Sequence, residues 1–230
     1  MADHLKFYIN GEWVDSLGSE TIEVINPSNE SVIGSISAGT KEDVDVAVAA
    51  AKEAFKSFSF SSKEERIALL ENIISEYEKR SDELAKTISQ EMGAPLWLSN
   101  VAQVTSGLSH FKDTLEVLKT FEFEKNENDY LIRKEAIGVI GMITPWNWPM
   151  NQMCTKVASA IASGCTMVLK PSEITPFCGI IFAEILHSAK VPAGVFNLVN
   201  GMGPIFTPSS SGAPTTVEFA TSTAASTALS

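Results

Sequence analysis

Residues 137–200 read IGVIGMITPWNWPMNQMCTKVASAIASGCTMVLKPSEITPFCGIIFAEILHSAKVPAGVFNLVN. Short apolar runs alternate here with longer segments of helical spacing. Val139 to Ile143, Thr166 to Leu169 and Val195 to Val199 have the length and composition of buried strands. Met150 to Ser163 and Pro176 to Ala189 lie between them and have the length and spacing of helices. The order β-α-β-α-β predicts a parallel sheet with right-handed crossovers, because parallel neighbours need a crossover that a helix supplies.

Upstream, Phe7 to Val14 reads as strand, turn, strand, with Asn10-Gly11 as the hairpin turn. Asn26-Pro27 begins another turn. Thr40 is an N-cap for a helix carrying Val44, Ala47, Val48, Ala51, Phe55 and Phe58. Ser62 and Glu65 form a capping box for a second helix with a predicted buried stripe of Ile67, Leu70, Ile74 and Tyr77. Ser81 opens a third helix with Leu84, Ile88 and Met92 on one face, and Gly93 with Pro95 stops it. A fourth helix is predicted over about 97–120. Phe121, Phe123, Tyr130 and Ile132 then sit among alternating charges, as in an exposed two-stranded ribbon.

The chain has 230 residues, 44% hydrophobic, enough for a sizeable core, and a net charge of −11. An acidic surface repels phosphate backbones, so nucleic-acid binding is not expected. No apolar run approaches bilayer length, and Met1-Ala2-Asp3-His4 has no basic region followed by an apolar stretch. These features predict a soluble cytoplasmic protein without a membrane partner. Cys154, Cys165 and Cys178 are odd in number and unevenly spaced, which suits a reducing compartment rather than a disulfide framework or a metal cluster. Cys154 has Met150, Val157 and Ile161 at helical spacing, so it reads as a small buried hydrophobe. Residues 205–230 contain no Lys or Arg and one acid, Glu218, amid Ser, Thr and Ala. They read as a polar tail with little apolar periodicity.

Three segments at strand ends carry a more specific signal: Thr144-Pro145-Trp146-Asn147-Trp148-Pro149-Met150, Leu169-Lys170-Pro171-Ser172-Glu173, and Gly194 to Pro204, which ends Asn200-Gly201-Met202-Gly203-Pro204. In this order and spacing they resemble the aldehyde dehydrogenase superfamily, over about Phe7 to Pro204. The resemblance implies a partial α/β fold, with an N-terminal helical segment (1–120) and an oligomerisation ribbon (121–136). An incomplete Rossmann-like parallel sheet (137–204) follows. It implies oxidation of an aldehyde to a carboxylic acid with NAD, NADP being possible, in a homodimer or homotetramer. Asn147 matches the Asn whose amide donates to the oxyanion formed when a thiolate attacks the aldehyde, a role typically worth ~3 kcal/mol of barrier. Lys170 and Glu173 match the adenosine-ribose site, with Ser172 between them. A carboxylate accepts both ribose hydroxyls and repels a 2′-phosphate, which favours NAD. Ile143, Thr144, Pro145 and Trp146 match apolar and backbone contacts to the cofactor, and Gly203 and Pro204 match the loop near the adenine. No metal site is implied.

The tail departs from the family pattern. Thr207 stands where a glycine is expected. Phe219-Ala220-Thr221-Ser222-Thr223-Ala224-Ala225-Ser226 echoes a Phe-Thr-Gly-Ser-Thr-x-x-Gly motif, with Thr221 and Ser226 in place of its glycines. Those glycines let the backbone approach a pyrophosphate. The family's Cys nucleophile and Glu general base lie beyond residue 230. A truncation or frameshift after about Pro204 is therefore expected, with the catalytic domain absent and the chain inactive alone. The alternatives are a non-catalytic nucleotide-binding or subunit-pairing module, and a fragment without function.

Overall fold

The computed structural model describes residues 2–206 and 217–220. The chain opens with strand β1 (Ala2–His4) and the hairpin β2 (Lys6–Ile9) and β3 (Glu12–Asp15). Asn10 and Gly11 both have positive φ, 53° and 81°, as a tight two-residue hairpin requires. Strands β4 (Thr21–Asn26) and β5 (Ser31–Ser37) form a second hairpin about the turn at Asn26-Pro27. The turn was legible in the sequence and the strands were not: β4 and β5 are mostly exposed or half-buried, so their apolar alternation is diluted. β1 joins them in a small sheet of order β1-β5-β4.

Helix α1 (Lys41–Phe58) starts at the expected Thr40 cap. Asp43 closes the capping box and also accepts from Ser16 Oγ and the Leu17 amide, which ties the preceding loop down. α2 (Lys63–Lys79) has the expected Ser62–Glu65 box. Its stripe is centred on Arg66, Leu69, Leu70, Ile73 and Tyr77, while Ile67 and Ile74 are only half-buried. Arg66 displaces the stripe because its guanidinium donates to three carbonyls, those of Ser61, Ser62 and Ala162. α3 (Ser81–Met92) ends at Gly93, which has φ 80°. The expected fourth helix is interrupted: α4 (Leu96–Leu98) runs through a π-helical turn, Ser99–Val104, into α5 (Thr105–Thr120).

The ribbon is present as β6 (Glu124–Glu127) and β7 (Tyr130–Arg133), antiparallel and exposed throughout. The expected alternation follows: β8 (Val139–Ile143), α6 (Pro149–Ser163), β9 (Thr166–Lys170), α7 (Phe177–Ser188) and β10 (Phe196–Leu198). β8, β9 and β10 pair in parallel. The sheet is not purely parallel, however. The N-terminal hairpin adds to it, β2 lying antiparallel to β10 with Tyr8 opposite Leu198. At the other edge β11 (Val217–Ala220) pairs in parallel with β8, giving the order β11-β8-β9-β10-β2-β3. The polar tail expected from residue 205 holds this strand, and its first two residues close the 3-10 turn Gly203–Phe206. The departures noted at Thr207, Thr221 and Ser226 lie outside the described residues.

Side chains of the sheet alternate between two apolar layers. Val139, Val168 and Val199 pack with Phe7 and Ile9 under α1. Met142, Met167, Leu169 and Leu198 face the other layer with α6 and α7, and α2, α3 and α5 complete it. That larger cluster runs from Tyr8 to Leu198, so the first 120 residues and the β-α-β-α-β core share one interior.

Candidate functional site

Parallel pairing leaves the carboxyl ends of β8, β9 and β10 side by side, with Ile143 opposite Lys170 and Leu169 opposite Leu198. Open α/β sheets bind ligands at this edge. The Thr144 amide donates to the Lys170 carbonyl at 3.2 Å, fastening the loop after β8 to that after β9. Lys170 is buried. Its ammonium donates to the Pro171 carbonyl at 2.8 Å, the Gly201 carbonyl at 2.9 Å and Glu173 Oε2 at 3.2 Å. All three ammonium hydrogens are thus committed, and one side chain ties together the loops after β9 and β10. Burial lowers the Lys170 pKa, and the Glu173 carboxylate opposes that. Gly201 adopts φ 152°, which side chains rarely allow, and a Cβ there would lie 3.0 Å from the Gly39 backbone nitrogen, so glycine suits this close approach.

Glu173 is one-third exposed and, among the described residues, bonds through one oxygen only. Ser172 is buried, and its hydroxyl accepts from the Ile174 amide at 3.2 Å, which shapes the loop rather than facing a ligand. On the other loop, Ile143, Pro145, Trp146 and Asn147 are exposed and Thr144 is buried. The Asn147 carbonyl accepts from Gln103 Nε2 at 3.1 Å, while its side-chain amide has no partner among the described residues. Gly203 and Pro204 lie in the 3-10 turn, and a Cβ on Gly203 would meet nothing within 4 Å. The structure therefore joins Thr144, Lys170 and Glu173 in one bonded group. It places Asn147 on the adjoining loop, with Gly203 and Pro204 in the turn that follows Gly201.

The cysteines are all buried. Burial pushes the Cys154 and Cys178 thiols well up, away from the reactive thiolate. Cys154 sits where α5 and α6 approach at Gly107, as a small hydrophobe should. Among the described residues no group of three or more His, Cys, Asp or Glu could hold a metal ion. No described helix is long and apolar enough to cross a membrane.

The family model for the aldehyde dehydrogenase family matches residues 13–225. The chain belongs to the aldehyde dehydrogenase family. The match runs on past Pro204, where the sequence pattern falters, and takes in the strand β11. A Staphylococcus aureus protein (strain bovine RF122 / ET3-1), named among the aldehyde dehydrogenases, is 53% identical over 203 residues, 88% of this chain and 43% of its own length. The chain thus spans less than half of the curated aldehyde dehydrogenases that it matches. The crystal structure of an aldehyde dehydrogenase from Bartonella henselae is 48% identical with a TM-score of 0.87, covering 89% of this chain and 44% of that one. A mutant aldehyde dehydrogenase C from Pseudomonas syringae, solved with NAD+ and octanal, is 45% identical with a TM-score of 0.86, covering 86% and 41%.

Two residues of this aldehyde dehydrogenase chain were not singled out from the sequence. Gln103 reaches Asn147 from the π turn, and nothing local to either announces the contact. Glu91 is completely buried. Its signal was present: it is in phase with Leu84 and Ile88, so an acid falls on the apolar face of α3.

Proposed function

We propose that this chain supplies the cofactor-binding portion of an enzyme that oxidises an aldehyde to a carboxylic acid with NAD. The observation that carries the reading is the pairing of Glu173, fixed by buried Lys170, with a loop presenting the free amide of Asn147 at the same strand ends. The donor set fits the cofactor's adenosine half. The unbonded oxygen of Glu173 accepts ribose hydroxyls, and the carboxylate opposes a 2′-phosphate, which favours NAD over NADP. Lys170 acts chiefly by fixing Glu173 and the two loops, since its hydrogens already have partners. Ile143, Pro145 and Trp146 offer exposed apolar surface beside it, and Gly203 leaves room for backbone approach. The bound cofactor supplies the hydride acceptor.

Asn147 is a neutral donor suited to an aldehyde oxygen that gains negative charge under thiolate attack. The buried cysteines of this chain are not placed to supply that thiolate. The ribbon at β6 and β7 presents Tyr130, Leu131 and Ile132 at 75%, 55% and 45% exposure, apolar surface that pairing with another subunit would cover. We propose a homodimer or homotetramer built through it.

Calorimetric titration of the 230-residue protein with NAD+ tests the cofactor site. We expect weak binding, on the order of millimolar, weakened further in Glu173→Ala and retained in Cys165→Ala, which lies away from the strand ends. Tight binding indifferent to Glu173→Ala would show that the site is elsewhere.

A further inference from the structure

We propose that Glu91 is a positioning residue for the cofactor loop: it clamps the first turn of α7 and thereby sets the backbone between Lys170 and Phe177. The inference rests on the reading of Lys170 and Glu173 as the ribose site.

The geometry begins with a missing cap. α7 follows Pro176 and has no side-chain cap of its own, so its first amides need an acceptor from elsewhere. Glu91 provides it from the end of α3. Its Oε2 accepts from the Phe177 amide at 2.7 Å and its Oε1 from the Cys178 amide at 3.0 Å, across 86 and 87 residues of sequence. The carboxylate also lies against the positive end of the α7 dipole.

From this clamp a connected path leads to the site. Cys178 Sγ contacts the Thr175 carbonyl at 3.4 Å, and the Thr175 amide donates to the Ser172 carbonyl at 3.2 Å. Gly179, one residue on, packs so closely that a Cβ there would lie 3.1 Å from Pro171 Cγ. Pro171 is bonded through its carbonyl to the Lys170 ammonium. If the first turn of α7 shifts, Pro171, Ser172 and Thr175 shift with it. Sequence-adjacent Lys170 and Glu173 then lose their register with Gly201.

Proton uptake gives the clamp a readout. Burial pushes the Glu91 pKa up to about 7, against the Cys178 thiol and the Cys178 and Phe177 amides, which pull it down. Burial keeps the nearby Cys178 thiol on α7, Cys154 on α6 and Tyr77 on α2 neutral, while His4 on β1 lies against the Phe177 ring with centroids 5.1 Å apart and is common to every protein in the test below. The π turn packed on α3 contributes none. Arg80 is engaged with Glu83 and Glu184, and Glu23 on β4 is exposed. A protonated carboxyl keeps one acceptor oxygen but turns a hydroxyl toward the other amide. In a loosened state with Glu91 still buried, the amide bonds are gone and the pKa is higher. Acid therefore favours loosening.

The test compares the 230-residue protein with Glu91→Gln and Glu173→Ala between pH 8 and pH 6. It reads hydrogen-exchange protection at 171–178 and NAD+ affinity by calorimetry. NAD+ has no group titrating in that range. In the unsubstituted protein, protection at Phe177 and Cys178 and NAD+ affinity should fall together about tenfold toward pH 6, the size expected for one hydrogen bond to a charged group. In Glu91→Gln both should be low and flat with pH, because the amide group offers one acceptor and faces a donor with a donor. Identical pH profiles in the two proteins would overturn the proposal. If Glu91→Gln does not fold, unchanged protection in the unsubstituted protein from pH 8 to pH 6 overturns it equally. If Glu173→Ala abolishes binding while Glu91→Gln binds as before, the clamp alone is wrong. If Glu173→Ala binds normally while the protection profiles behave as expected, the ribose assignment is wrong and the clamp stands.

Discussion

Lys170 and Glu173 are three residues apart and bonded, yet they should fail in different ways when substituted. Lys170→Met leaves the Pro171 and Gly201 carbonyls buried without their donor, and should destabilise the fold by about 2–4 kcal/mol in urea unfolding. NAD+ binding should be lost with it. Glu173→Ala removes a partly exposed partner and should change stability by less than about 1 kcal/mol while weakening NAD+ binding. If the two substitutions proved equally destabilising, Lys170 would not be the tie that the geometry indicates. The place of both residues at the carboxyl end of a strand was legible in the sequence, while their role was drawn from the family resemblance and stays a proposal. The Gly201 partner was not legible, since it depends on how two loops cross. Glu91 adds a titration. Its folded-state pKa of about 7 lies above the 4.5 of an ordinary glutamate, so the folded chain binds more protons between those values. Stability should therefore fall as pH rises from about 4.5 to about 7, by on the order of 3 kcal/mol, and then level. Global unfolding and local loosening thus respond to acid in opposite senses. Urea midpoints across pH 4.5–8 should show the slope, and Glu91→Gln should remove it.

At the level of elements, caps and periodicity carried the prediction. Thr40, Ser62 and Gly93 mark their helix boundaries, and the β-α-β-α-β order held with its boundaries shifted by a residue or so. What stayed hidden was the phase break inside 96–120. A π turn rotates the face of the helix, so Ser99 at its start is buried well off the stripe that Val104, Gly107 and Phe111 continue. Likewise, nothing within Phe7–Val14 says that the hairpin docks on β10, because strand pairing across the whole chain leaves no local mark. The ribbon is an element whose role can be tested directly. Leu131→Asp changes an exposed site and should leave the monomer's urea midpoint within about 0.5 kcal/mol. It should shift sedimentation toward monomer in any form of the protein that associates. Unaltered association would place the subunit contact elsewhere.

For the whole molecule, the buried thiols decide what the protein can do alone. The 230-residue protein mixed with NAD+ and a panel of aldehydes should give no NADH absorbance above buffer, since no cysteine is exposed to act as a nucleophile. Turnover abolished by Cys154→Ser would refute this. The docking of the hairpin has a further consequence, which belongs to synthesis rather than to the finished fold. The Asn10 amide bonds Asn197, 187 residues later. Phe7 and Ile9, almost wholly buried in the finished protein, have no sheet edge to join until β10 has left the ribosome. At typical elongation rates that is a wait of roughly 10–40 s. Throughout it the nascent chain carries an apolar hairpin with one unpaired edge, the kind of segment that chaperones shield and that crowded polysomes aggregate.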